Sequence, residues 1–200
     1  MHFEEDFTYH VYNRSNNIVF KTRDNYLYFL KKLNLYILPY VEIISWCLMP
    51  NHFHFMIIPN MKATEIVGNK NLPNTQTLSK QFGIFLSAYT KAFNKQNNIK
   101  GSLFSHNTKA IVLNDVSNLK INDVNNYAET CFRYIHQNPI KSGIVNNIND
   151  WEFSSYFDYS GKRNGKIVNK KIASDMINID FENFEFWSLA NINEIDNIFV

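Results

Sequence analysis

His52 and His54 are the residues whose type and spacing are best suited to chemistry. They lie in the stretch Cys47-Leu48-Met49-Pro50-Asn51-His52-Phe53-His54-Phe55-Met56-Ile57-Ile58, whose apolar character predicts a buried strand. In an extended strand successive side chains point to opposite faces, so the two histidines share one face about 6.5 Å apart, while Phe53 and Phe55 share the other. Two imidazoles on one side of an apolar strand can hold one metal ion. The same spacing also describes two polar residues on the solvated face of a half-buried strand. A third ligand and a reactive group elsewhere in the chain are needed to separate these readings.

A reactive group is offered by a helix expected from a cap at Asp123 through Val124, Tyr127, Ala128, Cys131 and Ile135 to Pro139. At about 100° per residue those five apolar residues share one face, Tyr134 falls on its flank, and Asn138 follows one turn later. A tyrosine at that edge can present its hydroxyl at a groove. A residue before proline resists the α conformation, so Asn138 is expected at the very end of the helix. Tyr89 is the rival tyrosine, but it sits mid-stripe among Phe82, Phe85, Leu86 and Phe93 on a helix from about Leu78 to Asn97, a position that reads as core. His10, His106 and His136 have no chelating spacing and read as hydrogen-bonded or solvated.

The elements that would position these groups follow from periodicity. Phe7 to Asn13 alternates as a strand. Asp24 is a plausible cap for a helix to about Leu38 with Leu27, Leu30, Leu33 and Ile37 as its buried stripe. Val41 to Leu48 reads as a second strand, turned at Pro50-Asn51 into antiparallel pairing with the histidine strand. Met61 to Thr77 reads as a loop, Lys109 to Leu113 as a further strand, and Asp115 to Asn122 as a connection. Pro139 to Tyr159 reads as an aromatic flap, Gly161 to Lys171 as a basic linker, and the remainder as an acidic tail too apolar to stay free.

The 200 residues suit one domain, or a domain plus an extension. No run of about 18 apolar residues exists, and the N-terminal residues lack the basic and apolar regions of a secretory signal, so a soluble cytoplasmic protein is expected. Cys47 and Cys131 each sit in an apolar pattern and read as reduced core residues. A net charge of +2 is too small to argue for nucleic acid by itself, but the charge is unevenly placed. Between Glu65 and Asp115 there is no acid and there are six lysines: Lys70, Lys80, Lys91, Lys95, Lys100 and Lys109. After Lys171 come Asp175, Asp180, Glu182, Glu185, Glu194 and Asp196 with no Lys or Arg. The middle could meet a phosphate backbone and the tail could not; solvated faces of opposite sign are the plain alternative.

Five motifs in order resemble the single-tyrosine HUH transposases, in particular the branch associated with repetitive extragenic palindromes. They are Tyr9-His10-Val11-Tyr12-Asn13-Arg14, Cys47 through His54, Gly101-Ser102-Leu103-Phe104, Arg133-Tyr134-Ile135-His136-Gln137-Asn138-Pro139 with the following Ile140 to Val145, and Trp151-Glu152-Phe153-Ser154-Ser155-Tyr156. The resemblance runs from about residue 7 to 159. It implies an α+β fold, a ferredoxin-like antiparallel sheet with helices on one face, as a domain over residues 1–160; composition, not the resemblance, reads residues 161–200 as a basic linker and an acidic, aromatic extension docking on the body. The resemblance implies that His52 and His54 are the metal pair, Asn138 the third metal ligand and Tyr134 the nucleophile, with Mg2+ or Mn2+ as the cation. It further implies a transposase that cuts and rejoins single-stranded DNA near hairpins through a 5′-phosphotyrosine, as a monomer or homodimer near the nucleoid of a bacterium. Arg14, Lys80, Lys91, Lys95 and Lys109 are the candidates for the DNA backbone. A DNA-binding regulator of the same fold that no longer transposes is the alternative, and a zinc-stabilised structural domain a third reading. Three features depart from the family: Ser105-His106-Asn107-Thr108-Lys109 replaces an aromatic and basic stretch, Ile111 to Val124 is longer than usual, and the tail has no counterpart.

Overall fold

The computed structural model describes residues 1–69, 72–114 and 124–190. Lys70, the connection over 115–122, Asp123 as a cap, and Glu194, Ile195 and Asp196 of the tail lie outside the described residues. The described chain runs through β1 (Tyr9–Arg14), α1 (Arg23–Tyr36), β2 (Val41–Met49), β3 (His52–Pro59), the short α2 (Met61–Thr64), β4 (Ile66–Asn69), β5 (Leu72–Gln76) and α3 (Thr77–Asn97). It continues through β6 (Lys109–Val112), α4 (Val124–Lys141), α5 (Tyr156–Tyr159), α6 (Lys170–Met176) and α7 (Phe184–Leu189).

Four strands form one sheet in the order β2-β3-β1-β6, every neighbouring pair antiparallel. With α1 between β1 and β2 and α3 between β3 and β6, this is the expected ferredoxin-like α+β arrangement. The β2–β3 hairpin closes on Pro50-Asn51, pairing Met49 with His52. Its turn is tied to the segment after β1: Val19 and Phe20 donate to the Pro50 carbonyl and Ser15 to that of Asn51. The histidine strand therefore lies inside the sheet, held from both sides.

Strand alternation separates two cores. Phe53, Phe55, Trp46, Leu48 and Val11 face α1 and α3, meeting Phe29 and Leu33 from the first and Phe82, Phe85, Tyr89 and Phe93 from the second. Ile44, Cys47, Met49 and Met56 face α4, meeting Tyr127, Cys131, Phe132 and Ile135. The expectation of helices on one face holds for α1 and α3, while α4 covers the other. The cause is β2, which a register shift between Ile43 and Ser45 leaves apolar on both faces.

Two local expectations differ from the structure. The buried stripe of α1 is Tyr26, Phe29 and Leu33, continuing to Ile37, and Leu27 is 41% exposed. The helix starts two residues earlier than read, capped at Thr22 instead of Asp24, with the Asn25 side chain accepting from the Lys21 and Thr22 amides. Ile66–Asn69 and Leu72–Gln76, read as loop, are strands β4 and β5, paired antiparallel in a separate two-stranded sheet. A two-stranded ribbon has open edges, so Pro73 can sit in it without breaking a central ladder.

Residues 148–190 run along β2 and over the α4 side, with Phe153 stacking on Tyr26 of α1 at the other face. Leu48 donates its backbone amide to the Phe153 carbonyl and Ser155 its amide to that of Trp46, which seats the aromatic segment on β2. The stretch 161–171, read as a linker, is anchored: Arg163 forks onto the buried carboxylate of Asp158 at 2.7 and 2.8 Å, and Val168 bridges Ile43. Ala173, Ile177, Ile179 and Phe184 are buried in the α4 core, and Gln137 donates to the Ser188 carbonyl at 2.7 Å. Among the described residues no helix is long and apolar enough to cross a membrane.

Candidate active site

The register of β1 and β3 sets the site. Tyr12 stands opposite His54 and Arg14 opposite His52, and directly opposed residues share a face of the sheet. The face is the one covered by α4, which places Tyr134 with its ring edge-on to that of His54, centroids 5.5 Å apart. The rings of His52 and His54 are perpendicular with centroids 4.9 Å apart. His52, His54, Tyr134 and Asn138 together line one cavity of about 220 Å³, with Tyr12, Arg14, Lys141 and Ser142 completing its wall.

The position of α4 depends on two fixtures. The His136 Nε2 lies 2.7 Å from Ser155 Oγ, which also accepts the Trp46 amide at 2.9 Å, so helix and sheet share one buried hydroxyl. The second fixture corrects an expectation, because α4 does not stop before Pro139 but runs through it to Lys141. Only one turn follows the proline, and that turn is closed by Gly143 at φ 66°. Gly143 donates to the Ile140 carbonyl at 2.9 Å and Ile144 to that of Pro139 at 3.0 Å, a Schellman closure. Asn138 is thus held inside the helix, one turn after Tyr134, its amide donating to the Tyr134 carbonyl at 3.4 Å.

The electrostatics keep both imidazoles uncharged near neutral pH. Burial, reinforced by the Arg14 guanidinium, pushes His52 down to about 4, against a smaller opposing hydrogen bond from Asn138. Burial holds His54 well below the usual histidine range, with His10, His52 and Arg14 adding in that direction. The Nδ1 of His52 is hydrogen-bonded to Asn51 Oδ1 at 2.7 Å, and the Nδ1 of His54 meets His10 Nε2 at 2.9 Å. His54 is 3% exposed, and its Nε2 is buried with no hydrogen-bond partner. A neutral imidazole with an unsatisfied nitrogen, beside a second imidazole and an amide, fits a divalent cation. Among the described residues no group of three or more His, Cys, Asp or Glu stands together; the polar side chain beside the two imidazoles on α4 is the Asn138 amide.

The structure brings together His52, His54, Tyr134, Asn138 and Arg14 of the expected site residues. Lys109 lies opposite Tyr12 on β6, exposed on the same face of the sheet. Lys80, Lys91 and Lys95 are exposed on α3, whose core residues lie on the other face, so they do not join this cavity. An acid-free span in sequence does not record which side of the sheet its helix occupies. Tyr89 is core as expected: it is 1% exposed and its hydroxyl donates to the Val19 carbonyl at 2.5 Å. Cys47 and Cys131 are buried free thiols. Tyr12, Lys141 and Ser142 were missed as wall residues. Tyr12 was signalled by alternation with Arg14, and Lys141 by its place one turn after Asn138.

No protein-family model and no curated protein matches this chain. Among solved structures it is similar to a REP-associated tyrosine transposase bound to a REP hairpin, with a TM-score of 0.51 and 18% identity, over 84% of this chain and 92% of that one. At that identity the likeness is one of fold, and the mixed antiparallel sheet and helices seen here are those of that transposase's fold.

Proposed function

We propose that this protein is a metal-dependent endonuclease and strand transferase that acts on single-stranded DNA beside a hairpin, with Tyr134 as its nucleophile. The observation that carries the reading is the meeting of Tyr134, Asn138, His52 and His54 in one cavity, from two elements distant in sequence. A hairpin-bound transposase of the same fold supports the substrate class.

In the proposed reaction the Tyr134 hydroxyl attacks a backbone phosphorus. The bond from phosphorus to the tyrosine oxygen forms as the bond to the 3′ oxygen breaks. The hydroxyl gives up its proton and the 3′ oxygen takes one, leaving a free 3′ hydroxyl and a 5′-phosphotyrosine. One phosphoester replaces another, so a later attack by a 3′ hydroxyl rejoins DNA and restores Tyr134 without ATP. His52, His54 and Asn138 would hold the cation, which when bound polarises the scissile phosphate and offsets charge in the transition state. Arg14 and Lys141 stand where phosphate oxygens would meet the cavity wall. Tyr134 is 7% exposed, so its packing against His54 and His10 fixes the ring before substrate arrives. All four central residues meet within one chain.

Incubation with labelled single-stranded hairpin DNA and Mn2+ or Mg2+ tests the reading, with a covalent protein–DNA adduct on a denaturing gel as the expected result. Binding without adduct across many hairpin sequences would instead identify a DNA-binding regulator of the same fold.

A further inference from the structure

We propose that His10 is a positioning residue: it accepts the Nδ1 proton of His54 and so turns the Nε2 lone pair of His54 toward the cavity. The inference rests on the reading of His52 and His54 as metal ligands, and extends it to a residue outside the cavity wall. His10 lies on β1 opposite Met56, one diagonal step from His54. It is fully buried, its ring 14° from parallel with that of His54 and 5.1 Å away. Tyr12 stacks on both rings, at 5.0 Å from His10 and 5.8 Å from His54, and keeps the pair from turning.

Two ring nitrogens 2.9 Å apart hold one proton between them. If His10 donates it, neutral His54 must carry its own proton on Nε2 and has no lone pair there for a cation. If His54 donates it, the buried Nε2 keeps a lone pair for a cation. His52 reaches the same state by another route, since its Nδ1 is hydrogen-bonded to the Asn51 side-chain oxygen at 2.7 Å. The hairpin turn therefore orients one ligand and the neighbouring strand the other. Outer partners of this kind commonly change metal affinity about 10- to 100-fold.

The test reads two-bond nitrogen–proton spectra of the imidazole rings in the full chain and follows Mn2+ binding by calorimetry. In the native chain His54 is expected as the Nδ1–H tautomer, and an Nε2–H tautomer overturns the proposal whether or not any variant folds. His10→Ala is expected to move His54 toward Nε2–H and to weaken Mn2+ binding about 10- to 100-fold. His10→Gln, whose amide oxygen can still accept, is expected to restore most of both. An unchanged ring spectrum and unchanged Mn2+ affinity in His10→Ala make His10 a plain core histidine and overturn the proposal. His52→Ala is expected to lose Mn2+ binding outright. A native chain that binds no Mn2+ removes the ligand reading instead, and the ring spectrum still decides the role of His10.

Discussion

Arg14 faces His52 directly across the β1–β3 ladder, and both line the cavity that holds Tyr134. The pairing gives Arg14 two consequences: it helps hold His52 uncharged, and it places a guanidinium at the cavity wall. We expect Arg14→Gln to weaken binding of single-stranded hairpin DNA roughly uniformly across sequences and to lower the salt slope of binding by about 1. Lys91→Gln, on α3 behind the sheet, should leave binding near native. Fluorescence titrations at several salt concentrations check both, and equal effects of the two substitutions would contradict the placement.

Acid should destabilise the fold through its buried histidines. Burial holds His10 and His136 down to about 3 and His52 down to about 4, against about 6.5 in an unfolded chain. Between these values the unfolded state binds protons that the folded state refuses, so stability is intact above about 6.5 and is lost as pH falls toward 3. Tm measured from pH 7 to 4 should fall. His136→Gln, which can still donate to Ser155, should flatten that fall; an identical slope in the variant would contradict burial as the cause.

Tyr89→Phe separates the two tyrosines that the sequence offers. It removes the hydrogen bond to the Val19 carbonyl in the core and should cost about 1 kcal/mol of stability in denaturant unfolding. It should leave adduct formation with hairpin DNA unchanged.

Gly143→Ala tests the closure of α4. Open space surrounds the site of a new Cβ, so the cost is that of the left-handed backbone alone, about 1 kcal/mol. The turn it closes carries Lys141 and Ser142 of the cavity wall. A loss of stability well above that, measured by urea unfolding, would mean the Schellman turn does more than end the helix.

How much of this was legible in the sequence depends on the range of the interaction concerned. His52, Phe53, His54 and Phe55 divide between the two faces as strict alternation requires, and Phe82, Phe85, Tyr89 and Phe93 form the buried stripe that their spacing describes. Tyr134 and Asn138 were legible as a pair because a helix brings i and i+4 together. His10 was not legible as a partner of His54, since 44 positions separate them and only strand register joins them. Pro139 read as a helix end because the rule for the preceding residue is local, whereas the Gly143 closure and the packing of α4 on β2 are not. The side of the sheet on which the α3 lysines stand was not legible for the same reason, since it is a property of topology.

The central claim is that Tyr134 carries the covalent bond to DNA. The most direct measurement incubates the native chain and Tyr134→Phe with a pool of single-stranded hairpin DNAs and Mn2+ or Mg2+, then looks for adducts on a denaturing gel. The account predicts an adduct in the native chain, with peptide mapping placing the nucleotide on Tyr134, and none in Tyr134→Phe, which should still bind the DNA. An adduct of equal yield in Tyr134→Phe would contradict it.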